Sequence, residues 1–125
     1  MPLPTAKVIP LQPYDLHLSF LGVASYNIVE YEKDPAGGWS LSKTIQVGGH
    51  SANPQHDAYA LTPVPSGAQR LVVVDANIVS ATGSDPVSMK SVFTQGNKPI
   101  HSDEAKGIDT GALVSLSLRA VFEAT

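Results

Sequence analysis

A chain of 125 residues has the length of a single domain, and we expect residues 1–125 to share one hydrophobic core. Its 42% hydrophobic and 15% charged residues exclude intrinsic disorder. The formal net charge is -3 and the Lys and Arg residues are scattered, which argues against nucleic acid as a partner. The absence of cysteine excludes disulfides and cysteine-ligated zinc.

Residues 1–13 combine several prolines with an extended pattern. They lack the basic start and the unbroken apolar run of a signal peptide, and no segment of the chain is apolar for long enough to span a bilayer. We therefore expect a soluble protein, cytoplasmic by default, with secretion after removal of a signal as the alternative. Because proline is tolerated at a sheet edge, residues 6–11 are predicted to form an edge strand. The alternative is an arm that reaches a neighbouring subunit.

Residues 14–22 alternate between apolar and polar side chains, which is typical of a half-buried strand. The residues on the apolar face are Tyr14, Leu16, Leu18 and Phe20. Gly22 then indicates a bulge or bend before the next strand.

A hairpin is predicted from residues 25–33 and 39–47, because the residues between them are typical of turns. Directly paired antiparallel residues share a face, and closing the hairpin pairs Lys33 with Trp39. The side chains then expected in solvent are Glu30 and Glu32, and those expected on the core side are Val29, Tyr31, Trp39, Leu41 and Ile45.

Residues 69–82 are predicted to form the centre of a sheet. The segment is apolar on both alternating faces through Val74, as in a strand that is covered on both sides. A helix would bury the same residues, but consecutive β-branched side chains lose rotamer freedom in a helix and fit a pleated sheet.

Further strands are predicted at residues 58–61, 87–94 and 112–123. Residues 48–57 and 95–110 are predicted to be irregular loops, and loops of the second length are usually functional or mobile. About eight strands and no convincing amphipathic helix indicate an all-β fold, an antiparallel β-sandwich or a jelly-roll-like barrel.

Histidines and carboxylates in the two predicted loops form a candidate metal site. Imidazole and carboxylate together are ligands for zinc or a non-haem metal, and a β-sandwich can bring distant loops together at one end. The candidate ligands are His50, His56, Asp57, His101 and Asp103. Calcium bound by Asp103, Glu104 and Asp109 is an alternative, although the order of an EF-hand is missing. Exposed histidines with no bound metal explain the same residues.

No catalytic residue is assigned. Residues 49–53 resemble a G-x-S-x-G elbow only superficially, because Asn53 replaces the final glycine. The elbow also needs a strand, a turn and a helix in an α/β sheet, which this chain does not predict.

An aromatic ring beside polar turn residues is a platform for carbohydrate. Trp39 lies next to Asp34 in the sequence, and Tyr31 lies across the predicted hairpin. The competing interpretation, in which Trp39 closes the end of the core, is favoured.

Asp75 and Asn77 are two polar residues on one face of the predicted central strand, where the other alternate positions are apolar. They must be solvated, hydrogen-bonded to each other or part of a pocket, since an unpaired buried carboxylate is costly. A solvent-facing half of the strand is favoured over a pocket.

These observations support three hypotheses for the function. The first is a non-enzymatic binding or assembly module that recognises a polar, carbohydrate-like ligand or a protein through its end loops. The second is a metal-assisted enzyme that uses the loop histidines and carboxylates. The third is a structural subunit of a homo-oligomer, held by edge strands and the proline-rich arm.

Overall fold

The computed structural model describes residues 5–52, 56–80, 86–108 and 113–124, with the backbone alone for residues 47–52 and 56. The described residues form nine β-strands and no helix. The strands are β1 (Thr5–Val8), β2 (Tyr14–Leu21), β3 (Val23–Lys33), β4 (Trp39–Ala52), β5 (His56–Leu61), β6 (Gln69–Val79), β7 (Pro86–Gln95), β8 (Lys98–Ile108) and β9 (Val114–Ala124).

The strands form two sheets that pack face to face. A five-stranded sheet has the order β1-β9-β6-β3-β4, and a four-stranded sheet has the order β5-β2-β7-β8. Neighbouring strands are antiparallel except β1 and β9, which are parallel. The predicted all-β sandwich is therefore confirmed, with nine strands instead of about eight. The prediction of an edge strand in the N-terminal segment is also confirmed, although β1 starts and ends earlier than predicted.

Strand β6 lies at the centre of the five-stranded sheet, as its sequence predicts. Alternate residues from Val72 to Ile78 are buried against the second sheet. On the opposite, outer face, Leu71 and Val73 are also buried, because Val121, Tyr31 and Trp39 pack against them in a small separate cluster. The main core between the sheets includes Tyr14, Leu16, Leu18, Ile28, Met89 and Phe122, all of which are fully buried.

The hairpin of β3 and β4 forms with Lys33 paired to Trp39 and Tyr31 paired to Leu41, as predicted. Its predicted core side is wrong except at Ile45, which packs against the main core, and the prediction that Glu32 lies in solvent is confirmed. Leu41 is 66% exposed, whereas Glu30, which was expected in solvent, is buried.

Two features explain the difference. On β3 the residues that face the core are Ala24, Tyr26, Ile28 and Glu30, so Val29 and Tyr31 belong to the outer face. On β4 a bulge follows Leu41, because Glu30 pairs with Lys43 instead of Ser42. The bulge changes which side chains face inward along β4, so that Ile45 reaches the main core while Trp39 packs on the outer face.

An ion pair with Arg70 accounts for the burial of Glu30. A guanidinium nitrogen of Arg70 lies 3.4 Å from a carboxylate oxygen of Glu30, and both side chains are almost completely buried. The other carboxylate oxygen accepts a hydrogen bond from the Thr62 backbone N–H at 3.0 Å. Arg70 also donates to the backbone carbonyls of Thr62 and Pro63, at 2.6 and 3.1 Å. These contacts of Glu30 and Arg70 with Thr62 and Pro63 hold the connection between β5 and β6 against β3.

The prediction of an irregular segment at residues 95–110 is wrong, because most of it forms the edge strand β8. Gly96 and Asn97 both have positive φ angles, 59° and 64°, and they connect Gln95 to its partner Lys98. Positive φ at both central residues is typical of the tight type I′ turn of a β-hairpin. The loop predicted at residues 48–57 is also mostly strand, since β4 continues to Ala52 and β5 starts at His56.

The sheets approach each other closely where β8 meets β9. A Cβ atom built on Gly107 would lie 2.6 Å from Cγ1 of Val114. Glycine at this position therefore allows the end of β8 to lie against the start of β9.

Replacing Gly107 with alanine is expected to lower the free energy of unfolding by about 1–3 kcal/mol, because the added methyl group overpacks this contact. Adding Val114→Ala should recover part of the loss, since the two residues share one contact. Denaturant unfolding followed by circular dichroism measures both effects. If the losses in free energy of unfolding of the two single variants simply added up in the double variant, the predicted contact between the two side chains would be contradicted.

Candidate functional site

Of the candidate metal ligands, the two carboxylates that the structure describes, Asp57 and Asp103, do not come together, whereas His101 and Asp103 lie near each other on β8. Asp57 lies on β5 and Asp103 on β8, which are opposite edges of the four-stranded sheet. The two residues share one row across that sheet, three strand spacings apart, or about 14 Å. This distance is too long for both carboxylates to bind one metal ion. The described residues contain no group of three or more possible metal ligands, and the side chains of His50 and His56, like all of Asp109, lie outside the described part.

Asp57 belongs to a hydrogen-bonded contact between the sheets. The Tyr26 hydroxyl donates to the Asp57 carboxylate at 2.7 Å and is also hydrogen-bonded to the Tyr59 hydroxyl. Burial, the hydrogen bonds and the nearby Asp57 charge raise the pKa of Tyr26 far above its ordinary value. Tyr26 therefore stays a neutral hydrogen-bond donor, and the contact links β3 to β5.

His101 and Asp103 both contact other residues of the protein. The His101 ring packs against Phe93 and Phe122, with ring centroids 5.9 and 6.2 Å apart. Its buried Nε2 has no hydrogen-bond partner among the described residues. Asp103 accepts a hydrogen bond from the Glu104 backbone N–H at 2.8 Å, and Glu104 pairs with Lys106 at 3.3 Å.

Trp39 and Asp34 lie together at the turn of the β3–β4 hairpin, but both have partners there. Trp39 packs on the outer cluster of the five-stranded sheet, and the Lys33 ammonium lies 5.0 Å from the centre of its ring. The Asp34 carboxylate accepts the Ser40 hydroxyl at 2.7 and 2.8 Å. The tryptophan thus closes a small apolar cluster on the outer face instead of the main core.

Asp75 and Asn77 are both exposed on the outer face of β6, and neighbouring strands place four more polar residues beside them. Ser25 and Asn27 on β3 are their partners on one side, and Ser117 and Ser115 on β9 are their partners on the other. The result is two rows across three adjacent strands, which we call the polar grid: Ser25, Asn77 and Ser115 in one row, and Asn27, Asp75 and Ser117 in the other.

The polar grid surrounds a shallow depression of about 240 Å³ on the sheet surface. The Ser115 hydroxyl donates to the Asn77 side-chain oxygen at 2.8 Å, which holds one row in place. Asp75 is the only ionisable residue of the polar grid, and it takes part in none of the ion pairs of the described chain. The depression therefore presents short hydrogen-bonding groups and one carboxylate to solvent.

Sequence reasoning identified Asp75 and Asn77 but missed the other members of the polar grid. Asn27 interrupts a face of β3 that otherwise carries Val29 and Tyr31, and Ser115 and Ser117 alternate with apolar residues in β9. These signals are present within each strand. The strand order β9-β6-β3, which brings these residues together, cannot be predicted in the same way, because no pattern within one strand shows which strands are its neighbours.

Comparisons with known proteins show similarity of fold alone. No protein-family model and no curated protein matches the chain. Two crystal structures have similar folds: a domain of unknown function, DUF4425, from Bacteroides vulgatus ATCC 8482 and a DUF4425 family protein from Bacteroides ovatus ATCC 8483. The first has a TM-score of 0.53 at 7% sequence identity, covering 91% of this chain and 97% of the other. The second has a TM-score of 0.52 at 9% identity, covering 89% and 95%.

In the part of the chain that the structure describes, no helix is long and apolar enough to cross a membrane. On the outer face of the five-stranded sheet, the sequence-predicted residues Asp75 and Asn77 belong to a polar surface that extends over three strands and opens to solvent. We take the polar grid as the candidate functional site of this β-sandwich.

Proposed function

We propose that the protein is a non-enzymatic binding module for a polar, hydroxyl-rich ligand of the carbohydrate class, and that the ligand binds on the polar grid. The supporting observation is the pair of complete polar rows on three neighbouring strands around one depression. The proposal assigns the ligand to a sheet face, whereas the sequence alone favoured the end loops.

The chemistry of the polar grid suits a ligand with many hydroxyl groups. Serine hydroxyls and asparagine amides both donate and accept hydrogen bonds, and the Asp75 carboxylate accepts two or more. Directly paired positions on neighbouring strands are about 5 Å apart, and alternate positions along a strand are about 7 Å apart. The polar grid thus offers hydrogen-bonding groups at regular intervals to a ligand that presents hydroxyls along its length.

The rigidity of the site also supports binding. Short side chains lose little rotamer freedom when a ligand immobilises them. All six positions lie on paired strands of one sheet, including the central strand β6. Little reorganisation is therefore needed to bind.

The Trp39 region is a less suitable ligand site. Trp39 pairs with Lys33 at the end of β3, and this end of β3 lies beside Gln69 at the start of β6. Asp75 lies six residues further along β6, so that about 20 Å separates the tryptophan from the polar grid. The Lys33 ammonium also lies over the tryptophan ring. The two candidate platforms thus belong to one sheet face but not to one site.

A glycan array with matched variants tests the proposal. The parent protein is expected to bind at least one glycan, and the double variant Asp75→Ala with Asn77→Ala is expected to bind it roughly tenfold or more weakly, since each lost hydrogen bond contributes about 0.5–1.5 kcal/mol. Asp15→Ala is the control, because Asp15 is an exposed aspartate on β2 in the other sheet.

Equal binding by the parent and the double variant would contradict the assignment of the site. Absence of binding to every glycan would contradict the proposed function. A loss of the same size in Asp15→Ala would show that the effect is not specific to the polar grid.

A further inference from the structure

We infer that the polar grid prefers hydroxyl-rich ligands that carry a protonated primary amine, which are ligands of the amino-sugar class. This inference rests on the proposed function and narrows it. It follows from the place of the single charge within the site.

Asp75 occupies the middle of its row, with Asn27 on one side and Ser117 on the other. Both neighbours are neutral, and the second row consists of Ser25, Asn77 and Ser115, which are also neutral. The site therefore carries one negative charge at its centre. A ligand that crosses the row of Asp75 meets this carboxylate at hydrogen-bonding range.

Among the residues that the structure describes, no ion pair neutralises that charge. The cationic residue closest to Asp75 by register is Arg119, one alternate position beyond Ser117 on β9. Arg119 is exposed on the same outer face, where it pairs with Val73, and the described chain contains no ion pair between Arg119 and Asp75. The carboxylate is thus available to a cationic group from outside.

A protonated amine complements this arrangement better than a hydroxyl group does. It donates charge-assisted hydrogen bonds to the carboxylate, and such bonds are roughly twice as strong as bonds between neutral groups. The remaining hydroxyls of the same ligand can bond to the serine and asparagine side chains. An anionic ligand is disfavoured, because it would place its charge against Asp75.

The experiment compares three oligosaccharides of equal length by isothermal titration calorimetry: oligomers of glucosamine, of N-acetylglucosamine and of glucose. The measurements are made at about pH 6, where a primary amine is protonated. The parent protein is expected to bind the glucosamine oligomer about tenfold more tightly than the other two, with a preference that decreases as salt is added.

The variant Asp75→Asn keeps the shape of the side chain and removes its charge. It is expected to bind all three oligomers alike, while the control Asp15→Asn keeps the parental preference. Equal binding of the three oligomers by the parent, or an unchanged preference in Asp75→Asn, would overturn the inference and leave the proposed function standing. Failure of the parent to bind any of the three would contradict the inference, and the glycan array then decides the proposed function separately.

Discussion

Replacing Arg70 with methionine is expected to lower the free energy of unfolding by about 3–5 kcal/mol, because the change leaves a buried charge without its partner. Glu30 is completely buried, and Arg70 is the cation beside it. The same substitution removes hydrogen bonds to the carbonyls of Thr62 and Pro63. Denaturant unfolding, followed by the fluorescence of Trp39, measures the loss.

A second variant separates the charge from the packing. In the double variant Glu30→Met with Arg70→Met no ion remains buried at this place, so most of the loss should be recovered. Glu32→Gln is the control: Glu32 lies 3.2 Å from Arg70, but its side chain is 59% exposed. Its effect should stay below about 1 kcal/mol. A double variant no more stable than Arg70→Met would show that the stability does not depend on compensating the Glu30 charge.

Replacing Gly22 with alanine is expected to destabilise the protein by about 2–5 kcal/mol, the sum of a strained backbone and an overpacked side chain. Gly22 has a φ of 112° and lies between β2 and β3, where the chain passes from one sheet to the other. A Cβ atom there would lie 2.7 Å from the carbonyl oxygen of Val79 and 2.9 Å from a methyl group of Ile78.

Gly37 provides the matched control for this prediction. It has a φ of 98°, but no atom of the described residues, its two chain neighbours aside, lies within 4 Å of the position that its Cβ would take. Gly37→Ala should therefore lower the free energy of unfolding only through the strained backbone conformation, by about 1–3 kcal/mol. Thermal and denaturant unfolding of both variants would measure the difference, and equal losses would show that the close approach to Val79 contributes nothing.

The sequence predicts those parts of the fold in which the pattern of apolar and polar residues within one segment reflects its burial. Strand β6 is apolar on both faces because both faces are covered, and β2 alternates because one face is covered. Strand β8 escaped prediction because it is a polar edge strand that contains Pro99. The Gly96 and Asn97 pair was the local signal for its hairpin.

The burial of Glu30 could not be predicted from its own strand. A glutamate between Val29 and Tyr31 fits a solvent-facing position equally well, and the arginine that compensates it lies forty residues later, on the neighbouring strand β6. For the same reason, only two of the six residues of the polar grid were predicted. Asp75 and Asn77 are conspicuous within β6, but their four neighbours come from β3 and β9.

The parallel pair of β1 and β9 has a consequence for how the chain folds. Thr5 and Val121 are partners although they come from opposite ends of the sequence. Bringing such distant segments together costs loop-closure entropy before any stabilising contact between them forms, so pairings of this kind slow folding. During synthesis on the ribosome, the partner of β1 does not exist until β9 has emerged, and we expect β1 to be the last strand to dock.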